Sequence, residues 1–264
     1  MNPPSLPALD SRTVKRVQLW LNDPSVKGVV LVGSKAAAYS DERSDDDLYV
    51  YVDDSTFSGL NGGDYFEVLI DPISRRVVYD AEYNTLGHLT SKAQSWRDED
   101  HWLFERAAIL FDADGLVTAG VNAARQMPAA FRHARLAHAT LDAYIAMTRL
   151  EKTRARGFAA ATALLAARGA RALARILFAL EWRWVPTDHW LEPELRTLTD
   201  SANAANELLA ALGTQDPRHL GLALDTLEER LVSEGLPSKE ARRPLLFDLL
   251  HPSRAHERSI HGLS

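Results

Sequence analysis

Cysteine is absent from this 264-residue sequence. Its absence excludes disulfides, thiolate metal sites and cysteine nucleophiles, so any metal must be held by oxygen or imidazole ligands. An excess of positive charge is also lacking, because 30 Lys and Arg residues stand against 36 Asp and Glu residues, for a formal net charge of −6. This balance argues against a nucleic acid as the main partner.

Long apolar runs are missing as well. No stretch reaches the length needed to span a bilayer, and the N-terminal sequence MNPPSLPALDSRTVKR has no apolar core of a signal peptide. We therefore expect a cytoplasmic protein without membrane contact. The hydrophobic fraction of 46% is ordinary for a globular protein, and the length is comfortable for two domains.

The first third of the chain alternates helical and strand patterns. The segment DSRTVKRVQLWLN (10–22) predicts a helix, and the apolar runs KGVVLVG (27–33) and DLYVYVD (47–53) predict strands. Residues 66–83, FEVLIDPISRRVVYDAEY, predict a hairpin that turns at residues 71–74. About four strands result, which predicts an α/β (α+β) domain with a small mixed β-sheet over residues 1–115.

The rest of the chain reads as helical. Residues 96–112, WRDEDHWLFERAAILFD, have helical spacing. Residues 133–184 are rich in Ala, Leu and Arg, and they predict two long helices parted near Gly157 or Gly169. We expect an all-helical bundle domain over residues 116–264, with a frayed, histidine-containing tail from residue 251.

Three consecutive aspartates stand at the start of the second predicted strand. Side chains alternate along a strand, so Asp45 and Asp47 share one face and Asp46 points to the other. Two carboxylates this close repel each other unless a cation lies between them, and Mg²⁺ prefers such oxygen ligands. Gly33 and Ser34 end the neighbouring strand, where a glycine allows close approach of a ligand and backbone N–H groups can hold a phosphate.

This arrangement resembles a known signature. Val32-Gly33-Ser34, ten residues and then Asp45-x-Asp47-Leu48 are similar to the motif of the DNA polymerase β-like nucleotidyltransferase superfamily. The segment AAAYSDERSDDDLYVYV is also similar to its small-molecule branch, of aminoglycoside and lincosamide type. The resemblance implies transfer of a nucleoside monophosphate from an NTP such as ATP to a hydroxyl, with two Mg²⁺ ions on Asp45 and Asp47.

Two positions depart from that signature. Family members often carry an arginine after the Gly-Ser pair, whereas Lys35 and three alanines stand here. Either Lys35 or Arg43 supplies the positive charge to the nucleotide, or the triphosphate is held in another way. The middle residue of Asp-x-Asp is often apolar, and here it is Asp46.

The resemblance also implies a third carboxylate from a neighbouring strand, as a ligand of the second ion and an acceptor of the hydroxyl proton. Asp80 is the first candidate, and Glu82, which shares its strand face, is the alternative. Glu67, inside the preceding apolar strand, is the third candidate.

The helical half adds candidate nucleotide ligands. Lys152 and Arg156 are four residues apart and share a helix face, where they could hold a triphosphate or form a solvated basic surface. His189 precedes Trp190 in WRWVPTDHWLEPEL, at a position that is often basic in the resembling branch. It could contact a phosphate, serve as a proton acceptor, or pin a turn as a structural residue.

Three functions are compatible with these observations. The first is a nucleotidyltransferase with a small-molecule acceptor, such as an aminoglycoside-like antibiotic, bound between the two domains. The second keeps the chemistry but uses a protein or tRNA acceptor, as in toxin–antitoxin nucleotidyltransferases. The third is a nucleotide-binding module without catalysis.

Overall fold

The computed structural model describes residues 9–199 and 202–261. The chain forms two compact units. The first contains the residues up to 95 together with 100–126, and the second contains 96–99 and the residues from 127 onward. The first unit therefore extends past the expected boundary at residue 115, because it includes a helix at Leu116–Arg125.

A five-stranded mixed sheet forms the centre of the first unit. Its strands are β1 (Val26–Val32), β2 (Asp46–Val52), β3 (Phe66–Ile70), β4 (Val77–Asn84) and β5 (Ala108–Asp112), in the order β3-β4-β2-β1-β5. β2 and β4 pair in parallel and the other neighbours are antiparallel. The helices are α1 (Ser11–Leu21), α2 (Gly33–Ala36), α3 (Asp54–Ser58), α4 (Leu86–Ala93), α5 (Glu99–Trp102) and α6 (Leu116–Arg125).

The two faces of the sheet have separate apolar cores. On one face, Trp20 of α1 packs against Tyr79 and Tyr83 of β4. On the other, Tyr49 of β2 packs with Leu89 of α4 and with the apolar side of α6. Burial of these apolar side chains stabilises the sheet. The polar ends of β2 and β4 lie on the same face as the second core.

The second unit is helical. Its helices are α7 (Ala129–Ala155), α8 (Ala159–Leu180), α9 (Leu191–Leu195), α10 (Ala202–Thr214), α11 (Pro217–Ser233), α12 (Arg242–Leu250) and α13 (Ala255–Ile260). Gly157, with a φ of 72°, separates the two long helices. Gly169 lies inside α8, where a Cβ would come within 2.5 Å of Leu220, so this glycine permits close helix packing.

The structure confirms the predicted fold class, an α+β sheet domain followed by helices. Two local expectations were wrong. The end of segment 96–112 is strand β5 rather than helix, because Ala108–Asp112 pairs with β1. The C-terminal segment forms α13, and His261 beyond it is only 4% exposed. Within the described residues, no helix is long and apolar enough to cross a bilayer.

Candidate active site

Strand register brings the site together. Asp47 of β2 pairs with Val32 of β1 on one side and with Asp80 of β4 on the other. β1 ends directly after Val32, and the chain turns at Gly33 into α2. Asp47 therefore lies between the Gly33–Ser34 corner and Asp80.

Three carboxylates converge at this end of the sheet. One oxygen from each of Asp45, Asp47 and Asp80 lies within 4.8 Å of the others, and all three residues are half-buried. Among residues 9–199 and 202–261, no lysine or arginine forms an ion pair with any of them. The group therefore concentrates negative charge without a cation from the described chain.

Gly33 makes room for one of these carboxylates. A Cβ added at residue 33 would lie 1.9 Å from Oδ2 of Asp47, and the φ of Gly33 is +71°. The left-handed backbone and the missing side chain are thus both required. A backbone hydrogen bond from Ser34 also reaches the Asp47 carboxylate, so the corner positions the acid.

The electrostatics of the group follow from this crowding. Burial raises the pKa of Asp47 to about 7, and the charges of Asp45, Asp80 and Asp46 add to the effect, while the hydrogen bond from Ser34 opposes it. Burial, Asp45 and Glu82 likewise raise the pKa of Asp80. Carboxyl groups with raised pKa values in a shared site are typical of functional centres.

The residues present fit a hard divalent cation. All donor atoms of the group are carboxylate oxygens, which Mg²⁺ prefers, and a cation would relieve their mutual repulsion. Asp45, Asp47 and Asp80 would be its ligands.

Metal binding should depend on pH. The folded pKa of Asp47, about 7, lies above the ordinary carboxyl value. The metal-free native state therefore holds this proton between the two values, and stability is lost as pH rises through about 7. We expect millimolar Mg²⁺ to raise the free energy of unfolding by about 1–3 kcal/mol at about pH 8 and by much less at about pH 5.5. Thermal melts with and without Mg²⁺ measure this, and equal shifts at both pH values would contradict it.

Asp46 has a different environment from its neighbours. Its side chain is fully buried and accepts hydrogen bonds from the Thr13 hydroxyl at 2.6 Å and the Asp10 backbone N–H at 3.1 Å. Nζ of Lys35 lies 2.6 Å from its other oxygen. Lys35, predicted as a nucleotide ligand, therefore has its charge on Asp46 in the structure, and we assign it a positioning role beneath the site.

Loss of this ion pair should destabilise the first unit. Lys35→Met leaves the buried carboxylate of Asp46 without its cation, and we expect the free energy of unfolding to fall by about 3–5 kcal/mol in denaturant titrations. The control is Lys27→Met, because the Lys27 ammonium hydrogen-bonds to the Pro24 carbonyl rather than to a carboxylate among the described residues, and its cost should stay within about 0.5 kcal/mol.

The double variant Lys35→Met with Asp46→Asn separates positioning from phosphate binding. It removes both charges, so stability should largely return. Any transfer activity should return with it. An inactive but stable double variant would show that the Lys35 ammonium itself contacts the nucleotide.

The alternative third carboxylates have other surroundings. Glu82 lies two residues beyond Asp80 on the same face of β4, and it accepts a hydrogen bond from Asn84 Nδ2 at 3.1 Å. Glu67 of β3 is on the opposite face, where Arg16, Tyr79 and Tyr83 donate hydrogen bonds to it. Asp80 is thus the acid that the structure groups with Asp45 and Asp47.

The other predicted nucleotide ligands are solvent-exposed. Arg43 lies in the loop before Asp45, and its backbone N–H donates to Asp41. Lys152, Arg156 and His189 belong to the second unit, where the ring of His189 packs beside Trp190. Their roles toward a nucleotide stay predictions.

Two basic residues near the site were missed by sequence reasoning. Nζ of Lys92, on α4, lies 4.2 Å from the ring centre of Tyr49, which is two residues beyond Asp47 on the same strand face. Arg106 donates to the Ala37 carbonyl and the Tyr39 hydroxyl, so it fixes the loop that follows Ser34. Sequence reasoning missed them because neither lies in a motif, and only the fold brings them to this face.

A second group of ligand-type residues lies in the helical unit. His138, Glu257 and His261 offer atoms within 4.8 Å of one another. His138 Nε2 is 3.0 Å from Glu257, and Arg135 donates to Nδ1 of His261. Burial lowers the pKa of His261 to about 3, with Arg135 and His138 acting in the same sense. Since Arg135 occupies a ring lone pair and would repel a cation, we assign no metal there.

Comparison with known proteins finds one family model and several solved structures that are similar to parts or most of the chain. The model of a domain of unknown function (DUF4037) matches residues 97–191, a segment without the Gly33–Ser34 corner or the three aspartates. Among solved structures, the chain is similar to a nucleotidyltransferase-like protein from Exiguobacterium sibiricum 255-15, at 14% identity and a TM-score of 0.46 over 95% of this chain and 86% of that one. No curated protein matches the sequence. Likeness at this level does not place residues, so the site depends on its own geometry.

Proposed function

We propose that this protein is a nucleotidyltransferase that moves a nucleoside monophosphate, AMP from ATP in the first instance, to a hydroxyl of a small molecule. The observation that carries the proposal is the convergence of Asp45, Asp47 and Asp80 beside the Gly33–Ser34 corner. A group of carboxylates beside a tight backbone turn is the kind of arrangement that two-metal phosphoryl transfer uses.

Each residue has a role in this reaction. Asp45 and Asp47 would hold both Mg²⁺ ions, and Asp80 would hold the ion nearest the acceptor. When bound, the ions would neutralise charge on the triphosphate and activate the attacking oxygen. Asp80, whose pKa is raised by burial and by Asp45, takes the proton of the acceptor hydroxyl. The acceptor oxygen then bonds to the α-phosphorus as the bond to pyrophosphate breaks.

The triphosphate would bind at the end of the site away from Asp80, beside the Gly33–Ser34 corner. The Gly33–Ser34 turn, which follows β1 and begins α2 beside Asp47, would supply backbone N–H groups to the phosphate oxygens. Lys92 supplies a cation on the same sheet face, and within the described residues its ammonium contacts aromatic rings rather than an acid. We assign it to the phosphates.

Radiolabelled nucleotide transfer tests this function. Purified protein with Mg²⁺ and α-labelled ATP, GTP, CTP or UTP should release pyrophosphate and label an acceptor in a panel of aminoglycosides, amino alcohols, tRNA and bulk protein. A labelled small molecule is the expected result. Labelled tRNA or protein would favour the toxin–antitoxin type of acceptor, and ATP binding without any pyrophosphate release would favour a non-catalytic module.

A further inference from the structure

Strand β3 exposes its apolar side chains. Phe66, Val68 and Ile70 are 60%, 51% and 51% exposed. Glu67, between Phe66 and Val68, is only partly exposed and points to the opposite face of the sheet, toward Arg16. We call these three apolar residues the β3 strip. A half-buried strand normally shows the reverse alternation, and contiguous exposed apolar surface marks a binding site more often than chance.

Register places the strip beside the carboxylates. Val68 pairs with Asp80, and Phe66 pairs with Glu82, across the antiparallel β3–β4 ladder. Directly opposite residues point to the same face with Cβ atoms about 5 Å apart. The strip therefore runs alongside the row of acids formed by Asp80 and Glu82.

The geometry of the proposed reaction indicates which substrate would contact the β3 strip. In phosphoryl transfer the attacking and leaving oxygens are in line, on opposite sides of the phosphorus. In the proposed reaction, pyrophosphate would leave toward the Gly33–Ser34 corner, which follows β1 next to β2. The acceptor must enter from the other side of Asp47, which is the side of β4 and then β3 in the sheet order.

We propose that the β3 strip binds the apolar body of the acceptor, and that the acceptor is an amphipathic amino alcohol. This inference rests on the proposed function. Its hydroxyl lies at Asp80, its apolar part covers Val68 and Phe66, and its ammonium group faces Glu82, the residue that pairs with Phe66 across the ladder. A highly polar polyol would leave the strip in water.

A series of acceptors tests the proposal. With full-length protein, Mg²⁺ and ATP, we expect kcat/KM to rise about tenfold or more from ethanolamine to 2-amino-1-phenylethanol, since an apolar contact of this size changes binding by about that factor. Removing the amine, in 1-phenylethanol, should lower kcat/KM. A flat series, or preference for glycerol, would overturn the proposal.

Substitutions on the strip locate the effect. Phe66→Ser and Val68→Thr should each raise the acceptor KM about tenfold and flatten the series, while the KM for ATP stays unchanged. The control is Leu19→Ser, at a residue 61% exposed on α1, which should change neither. Variants that alter only the oligomeric state would identify the strip as a contact between copies and overturn the proposal.

A binding measurement separates this inference from the proposed function. 2-Phenylethylamine lacks the hydroxyl and cannot react. It should stabilise the wild-type protein in thermal melts, and Phe66→Ser should abolish that shift. Absence of AMP formation with any acceptor, including water, would refute the proposed function, whereas absence of phenylethylamine binding by an active enzyme would refute only the acceptor assignment.

Discussion

Asp47→Asn should abolish nucleotide transfer while making the metal-free protein more stable. The carboxylate of Asp47 lies between the Gly33 corner and Asp80. One of its oxygens lies within 4.8 Å of an oxygen of Asp45 and of an oxygen of Asp80. Metal ions contribute several kcal/mol of transition-state stabilisation in such sites, so we expect transfer to fall by about a thousandfold or more. Pyrophosphate release at saturating ATP and Mg²⁺ measures it.

The gain in stability has the same cause as the loss of activity. At about pH 8 the Asp47 carboxylate is ionised, because this is above its raised pKa of about 7, and it repels its two neighbours. An amide removes that repulsion, so we expect the metal-free free energy of unfolding to rise by about 1 kcal/mol. The Mg²⁺-induced shift in melting temperature should disappear.

Two further variants make the result specific. Glu82→Gln changes the acid that would face the acceptor's ammonium group and that accepts a hydrogen bond from Asn84. It should raise the acceptor KM, while the rate at saturating acceptor should stay within about tenfold of wild type. Asp80→Asn should lose activity as Asp47→Asn does. If Asp47→Asn were folded and active, or less stable than wild type without metal, the three-carboxylate metal site would be refuted.

The parts of the fold that were predictable have local causes. α1 shows helical spacing, β1 and β2 are short apolar runs, and the 71–74 turn has Pro72 in a typical place. β5 was missed because a five-residue apolar run is compatible with helix or strand, and only its pairing with β1 decides. Gly157 and Gly169 were indistinguishable until packing showed that one ends a helix and the other lies under Leu220.

The candidate site likewise has a part that the sequence predicts and a part that only the fold determines. Alternation alone indicates that Asp45 and Asp47 share a face. The choice among Asp80, Glu82 and Glu67 needs the parallel pairing of β2 with β4, which joins strands that are not consecutive in the chain. The inverted alternation of β3 turns Glu67 away. The Lys35–Asp46 ion pair depends on packing against α1, and no sequence pattern predicts it.

Gly33→Ala should disable the enzyme through geometry, with every carboxylate still present. The new Cβ would come within 1.9 Å of Asp47 Oδ2, so the carboxylate or the corner must move. A displacement of about 1 Å at a reacting centre can cost about a hundredfold in rate. We expect turnover to fall by about that factor and the Mg²⁺-induced thermal shift to shrink.

A second glycine separates this clash from backbone strain. Gly115 has a φ of +83°, close to the +71° of Gly33, but a Cβ there would meet no described atom within 4 Å. Both alanine variants should lose about 1–2 kcal/mol of stability from the left-handed backbone, and only Gly33→Ala should lose activity. If Gly33→Ala folds and keeps turnover within about threefold of Gly115→Ala, the Asp47 carboxylate does not need its observed position. Loss of activity by both variants would instead indicate that strain anywhere in this unit disrupts the site, and the corner would lose its special role.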